Sequence, residues 1–467
     1  MTNPVLPALI EELKTLVEPG KVLTDADSLV TYGKDWTKQY PPAPSAIVFP
    51  KTAEQVQAIV LWANRHQVAL TPSGGRTGLS AAAVAANGEV VVSFDYMNQV
   101  LAVNTVDRTV VCQPGVITKQ LQNVAEEHGL YYPVDFASSG SSQIGGNIGT
   151  NAGGIKVIRY GMTRNWVAGL KVVTGKGDLL ELNKDLTKNA TGYDLRHLFI
   201  GAEGTLGFVV EATMRLDRAP KNLTAMVLGT VDFDAIMPVL HAFQSKLDLT
   251  AFEFFSDKSL AKVMGRGDVP APFDTPCPFY ALLEFEATTE EVSNDALALF
   301  EHCVEQGWVL DGVMSQSEQQ LRNLWKLREY ISETISHWTP YKNDLSVTVS
   351  RVPAFLREID ALVAASYPDF EVLWYGHIGD GNLHLNILKP EDMDKDTFFA
   401  KCATVNTQVF ETVEKYNGSV SAEHGVGLVK RDYLTYSRSP AEIDYMKAMK
   451  AVFDPNGIMN PGKIFAV

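Results

Sequence analysis

Two histidines and two asparagines fall within one short stretch, His377-Ile378-Gly379-Asp380-Gly381-Asn382-Leu383-His384-Leu385-Asn386. Asp380-Gly381 is a favoured centre for a two-residue hairpin turn, because both central positions of a type I′ turn need positive φ. That register sets His377 directly opposite His384, with both side chains on one face. Period-two alternation adds Asn382 and Asn386 to the same face and sends Ile378, Leu383 and Leu385 to the other. Two opposed imidazoles within cross-strand reach can share a metal ion. Glu423, in Ala422-Glu423-His424-Gly425-Val426-Gly427, offers a carboxylate as a third ligand. Two nitrogens and one carboxylate around an open position is the pattern of a catalytic Zn2+ site. A lone histidine is more often a hydrogen-bonded structural residue, but three of the nine histidines fall in these two segments. His424 cannot easily bind the same ion as its neighbour, which leaves it as an acid–base group beside the metal, or as a hydrogen bonder to its ligands.

A second kind of chemistry is written in glycine. Pro72-Ser73-Gly74-Gly75-Arg76-Thr77-Gly78-Leu79-Ser80 follows a strand-like run, and such a loop can turn its N–H groups inward as an anion nest suited to a pyrophosphate. Residues 138–154 hold six glycines in seventeen positions, against 35 in 467 overall. Each glycine lets the main chain approach a ligand closely. Ile144, Ile148 and Ile155 are interspersed as core residues would be, which a flexible linker seldom shows. A large cofactor threaded along this backbone is the better reading. No complete G-x-G-x-x-G occurs, so a Rossmann NAD site has no support. The near P-loop at 457–464 has Ile464 where Ser or Thr is required.

The elements that must position these groups follow from periodicity. Residues 52–66 open with the capping pair Thr52 and Gln55 and place Val56, Ile59, Val60 and Ala63 on one helical face. Strand-like runs at 68–71, 90–94, 100–104 and 109–113 follow, then 166–173, a turn at 175–177, a run to 182, and 208–216. Beyond Ala219-Pro220 strands at 225–231, 251–254, 280–285, 309–313 and 345–349 alternate with helical patterns at 290–306, 317–337 and 353–366, which reads as a second α+β domain. The helix 317–337 carries Arg328 with Ser332 one turn on, and Lys342 follows it; by spacing alone these cations read as solvated charges. A last helix at 440–453 and an irregular tail are expected to return to the first domain. The division expected is 1–219, 220–420 and a returning segment 421–467.

PSGGRTGLS (72–80), IGGNIGTNAGGIKVIRYG (144–161) and GAEGTLG (201–207) resemble, in order and spacing, the FAD-binding half of the vanillyl-alcohol oxidase class of flavoproteins. From about 44 to 463 the chain is similar to the FAD-linked 2-hydroxy-acid dehydrogenases of that class, most of all to bacterial members acting on D-2-hydroxyglutarate. The resemblance implies an α+β fold: a two-part FAD-binding domain plus an α+β substrate (cap) domain with a largely antiparallel sheet. It implies FAD contacts at Ser73, Gly74, Gly75, Arg76, Thr77, Gly78, Ser142, Gly145, Gly146, Asn147, Thr150, Gly153, Gly154, Glu203, Gly204, Gly207 and Asn460. Arg76 stands in the first loop and no Cys in the second, so the FAD is expected to be non-covalent. His377, His384 and Glu423 match the metal positions, for Zn2+ or another divalent transition metal. His424 matches the base that takes the substrate hydroxyl proton while hydride passes to flavin N5. Arg328, Ser332, Lys342 and Asn386 match substrate binders. Two cations suit a second carboxylate, which favours hydroxyglutarate over D-lactate; D-lactate or D-malate dehydrogenase is the alternative within the class. A zinc hydrolase would leave the glycine loops unexplained and lacks H-E-x-x-H, and a non-catalytic flavin carrier would leave the metal cluster without a purpose.

Composition sets the outer bounds. With 40 basic and 55 acidic residues the net charge is -15, which argues against nucleic-acid and anionic-membrane binding. Cys112, Cys277, Cys303 and Cys402 are scattered without C-x-x-C, as reduced thiols of a cytoplasmic protein would be. The N-terminus reads as an amphipathic helix without the basic and apolar regions of a signal peptide, and no membrane span is expected. Without an NAD fingerprint, the reduced flavin is expected to pass electrons to electron-transfer flavoprotein, as the resemblance also implies, or to a quinone. A homodimer is the default assembly.

Overall fold

Thr52 caps the helix Ala53–His66 by accepting from the Gln55 N–H (3.2 Å), and Val56, Ile59, Val60, Trp62 and Ala63 are buried along it. That face packs on a four-stranded sheet ordered Val22–Leu23, Ala46–Val48, Val90–Ser93, Leu70–Ser73, in which the last two pairings are parallel. The computed structural model describes residues 5–37 and 39–466, and the chain divides into two units. The first takes residues up to Gly153, Met162–Ala219 and the chain from Glu423 onward; the second takes Gly154–Gly161 and Pro220–Ala422.

The first unit adds an antiparallel five-stranded sheet ordered Val100–Asn104, Thr109–Cys112, Gly207–Arg215, Val167–Thr174, Leu179–Leu182. Its core gathers Cys112, Leu121, Tyr132, Val172 and Met214 with Ile144 and Ile148, as expected of these isoleucines, while Ile155 joins the core of the second unit. The tail is sewn into the first sheet: Leu70 N–H donates to Ile458 O (2.8 Å) and Asn460 N–H to Leu70 O (2.8 Å).

The second unit is one antiparallel seven-stranded sheet ordered Val309–Met314, Leu223–Thr230, Phe279–Glu286, Leu249–Ser256, Val372–Gly376, Asn382–Ile387, Tyr341–Ser346. The helix Glu318–Ile335, capped by Ser317, lays Leu324, Trp325, Leu327, Ile331 and Ile335 on one sheet face against Val227, Ala251, Phe255, Leu282 and Tyr375. The strand expected at 345–349 runs instead over Tyr341–Ser346. Its Lys-Asn-Asp sequence carries no apolar alternation because half of its side chains line a polar site.

The four cysteines are free and buried. Burial pushes the Cys112 thiol up to about 12 and those of Cys303 and Cys402 up to about 11, which keeps them protonated and unreactive. Among the described residues no helix is long and apolar enough to cross a membrane.

Candidate active site

The hairpin that carries the two histidines is wider than its sequence suggests. Tyr375, not His377, pairs with His384, and Trp374 pairs with Leu385. The connection is a turn of 3-10 helix over Ile378–Asp380 closed by Gly381 at φ 86, where a Cβ would sit 2.0 Å from Val347 O. The two-residue Asp380-Gly381 turn is therefore corrected. The reason lies in the neighbouring strand Leu249–Ser256: a Cβ on Gly379 would lie 2.9 Å from Phe252 Cβ, so the loop folds down onto that strand, and His377 reaches Glu253. The two imidazoles still meet, with ring centroids 5.3 Å apart at 83°.

Around them the second unit builds a buried polar face. His377 Nδ1–H donates to Glu253 Oε1 (2.8 Å), an arrangement that in the neutral imidazole leaves the lone pair on Nε2. The other Glu253 oxygen holds Arg328 Nη2 at 2.8 Å, and the guanidinium lies 4.8 Å from the centre of the Tyr375 ring. Asp344 pairs across the sheet with His384, its Oδ1 3.8 Å from the imidazole Nδ1, and accepts from Asn382 Nδ2 (2.9 Å). Lys342 pairs with Asn386 in the same ladder and donates to Ser332 Oγ on the helix (3.0 Å). Thus Arg328 is joined to His377 through Glu253, while Ser332, Lys342 and Asn386 form a second group. Glu253 and Asp344, both about 1% exposed, were not singled out in the sequence. A lone charge inside the apolar run Leu249–Ser256 was the available signal for Glu253.

Glu423 directly follows Ala422, whose N–H donates to Asp344 O (3.3 Å) and whose preceding residue, Ser421, bridges to Asp344. His424 Nε2 lies 3.6 Å from Glu423 Oε1. The donor set of two buried imidazoles with carboxylates close by fits a divalent transition metal.

In the first unit the two glycine segments are packed on each other. A Cβ on Gly75 would lie 2.2 Å from Ser141 O, and one on Gly204 (φ 72) would lie 2.6 Å from Pro72 Cγ. Residues Ile144–Thr150 are helical, and a Cβ on Gly146 or Gly149 would meet nothing within 4 Å, so this helix shows a bare backbone face. Gly149, on that face, was not among the expected FAD contacts. Several expected FAD contacts use their side chains within the protein. Arg76 pairs with Asp95 (3.2 Å); Ser142 and Asn147 bond Thr118 Oγ1 (2.8 and 2.7 Å). The Glu203 carboxylate accepts from the N–H groups of Val426 (2.6 Å) and Gly427 (2.8 Å), with burial pushing its pKa up. Asn460 Nδ2 donates to Ala82 O and Glu203 O. Ser80 Oγ, Gln143 Oε1 and Asn460 Oδ1 remain buried without a hydrogen-bond partner among the described residues, which fits a polar ligand along these segments.

Comparison with known proteins places the chain in a family. Residues 44–183 match an FAD binding domain and 219–464 the C-terminal domain of FAD linked oxidases. The chain is 85% identical over 460 residues to a D-2-hydroxyglutarate dehydrogenase of Stutzerimonas stutzeri, covering 98% of this chain and 99% of the relative. It is 52% identical to one from Xanthomonas citri pv. viticola (100% and 98% covered) and 35% identical to the mitochondrial enzyme of Danio rerio (95% and 83%). Among solved structures, p-cresol methylhydroxylase with substrate bound matches with TM-score 0.78 at 16% identity, covering 98% of this chain and 96% of that one. Alkyldihydroxyacetonephosphate synthase matches with TM-score 0.75 at 18% identity (99% and 87% covered). At such identities these two matches speak for the fold alone.

Proposed function

The chain belongs to the FAD-linked oxidases and, within them, to the D-2-hydroxyglutarate dehydrogenases, and on that premise we propose that it oxidises D-2-hydroxyglutarate to 2-oxoglutarate with a metal-dependent site. The observation that carries the reading is the polar face of one sheet on which Glu253 links His377 to Arg328, His377 meets His384, and Lys342 lies two positions along its strand from the Asp344 that pairs with His384. Bound in their sites, FAD supplies a two-electron acceptor and a divalent metal supplies Lewis acidity. His377 and His384, with Glu423, hold the metal; the Glu253 bond fixes the His377 tautomer for that task. Arg328 and Lys342 take substrate carboxylates, with Ser332 and Asn386 adding hydrogen bonds. His424, beside Glu423, receives the hydroxyl proton. Because Arg328 already shares its charge with Glu253, Lys342 carries more of the selectivity for a second carboxylate. Electron-transfer flavoprotein or a quinone accepts the electrons, in the cytoplasm, from a homodimer.

A panel of D-2-hydroxyglutarate, D-malate and D-lactate, each mixed anaerobically with the yellow protein, tests the substrate. Flavin bleaching with the highest kcat/KM for D-2-hydroxyglutarate is expected; a higher value for D-lactate overturns the assignment.

A further inference from the structure

We propose that Glu253 is a positioning residue that holds the metal-binding and substrate-binding groups in one geometry, an inference that rests on the function proposed above. Strand Leu249–Ser256 is buried throughout, and Glu253 is its one charged residue. A carboxylate taken out of water there is costly unless both oxygens are matched. Both face a cationic or N–H partner. One oxygen accepts from His377 (2.8 Å) and the other forms an ion pair with Arg328 (2.8 Å) without hydrogen-bond alignment, so Glu253 and its two partners tie together three separate elements.

The contacts then close into a ring: Arg328 stacks on Tyr375 (4.8 Å), the Tyr375 ring packs on His384 (5.1 Å), and His384 meets His377 (5.3 Å). A buried Arg–Glu pair by itself is weak evidence of stabilisation, since apolar replacements often do as well. What an apolar residue could not do is dictate which imidazole nitrogen of His377 keeps its proton while also aiming the Arg328 fork. Arg328 Nε makes no hydrogen bond among the described residues, so the pinned guanidinium retains a buried donor to offer a ligand. The neighbouring strand supplies a contrast. Glu284 is also buried, but among the described residues its hydrogen bonds go to Lys156, Thr250 and Trp325.

The two oxygens predict separable defects. In Glu253→Gln the amide oxygen can still accept from His377, but the amide nitrogen then faces the Arg328 donors. KM for D-2-hydroxyglutarate should rise on the order of tenfold or more, while the Kd for Zn2+, measured on FAD-loaded protein by chelator competition, moves only a few-fold. Glu253→Ala should weaken Zn2+ binding by about 10–100-fold as well, in the range for lost partners of metal-binding histidines. Glu284→Gln, a loss of a buried bond elsewhere, should lower Tm with KM and Kd near wild type. Glu253 variants that lose Tm yet keep wild-type KM and Kd would overturn the proposal; if Glu253→Ala does not fold, a wild-type KM in Glu253→Gln does so alone. Wild-type protein that binds no Zn2+ or ignores D-2-hydroxyglutarate would instead strike the proposed function.

Discussion

His384 sits between Tyr375 and Asp344 on paired strands, and His424 sits next to Glu423 at the start of the returning segment. Their assigned tasks differ, so their removal should differ too. His384→Ala is expected to lose bound Zn2+ and with it turnover. His424→Ala should keep the metal and lose about 10²–10⁴-fold in kcat, the usual worth of a positioned acid–base group; metal analysis beside steady-state kinetics separates the two, and loss of metal in His424→Ala would contradict the roles. A second residue speaks to stability. Asp35 is buried, its Oδ1 bonded to Thr37, its Oδ2 without a partner among the described residues and 3.2 Å from where a Gly78 Cβ would stand. Burial raises its pKa from 3.8 to about 6. The folded state therefore binds the proton more tightly than the unfolded chain, and stability falls as pH rises from about 4 to 6, by about 3 kcal/mol. Asp35→Asn should raise Tm at pH 7 and lose that advantage below pH 4; an equal effect at both pH values would show that ionisation is not the cause.

The glycine segments were legible because their composition departs sharply from the rest of the chain, yet the helix at Ile144–Thr150 was not. Glycine has low helix propensity, and only burial of Ile144 and Ile148 makes the turn of helix hold. The hairpin was half legible. Its alternation correctly put Asn382, His384 and Asn386 on one face, but the register depends on Gly379 packing against a strand more than a hundred residues earlier, which no local pattern records. The same limit hid Asp344 and left Glu253 legible only as a lone charge in an apolar run, its partners lying in other elements. At this scale the sharpest expectation concerns Gly75, where an added Cβ would meet the Ser141 carbonyl at 2.2 Å, a backbone atom that no rotamer change can move. Gly75→Ala should cost about 1–3 kcal/mol and lower the FAD:protein ratio after purification. Gly140→Ala, where a Cβ meets nothing within 4 Å, should leave both Tm and FAD content unchanged. Full FAD retention in Gly75→Ala would argue that the packing of the two loops does not shape the cofactor site.

At the scale of the whole chain, the ordered glycine motifs and the change of texture after Pro220 made an FAD unit and an α+β unit readable in advance. The excursion Gly154–Gly161 was not: it is held in the second unit by the buried Lys156–Glu284 pair and by Arg159–Glu286 (3.5 Å), contacts made across long sequence separation. With a net charge of -15, an anionic substrate would need local positive charge, and Arg328 and Lys342, both in the second unit, are the cations the proposed function assigns to it. What joins the flavin segments to the histidine cluster functionally is the claim that oxidation needs both. The direct measurement is anaerobic bleaching of the flavin by D-2-hydroxyglutarate after treatment with EDTA. FAD should stay bound, bleaching should be abolished, and Zn2+ should restore it more readily than Mg2+ because nitrogen ligands favour it. Rapid, complete bleaching in protein shown to be free of metal would contradict that claim.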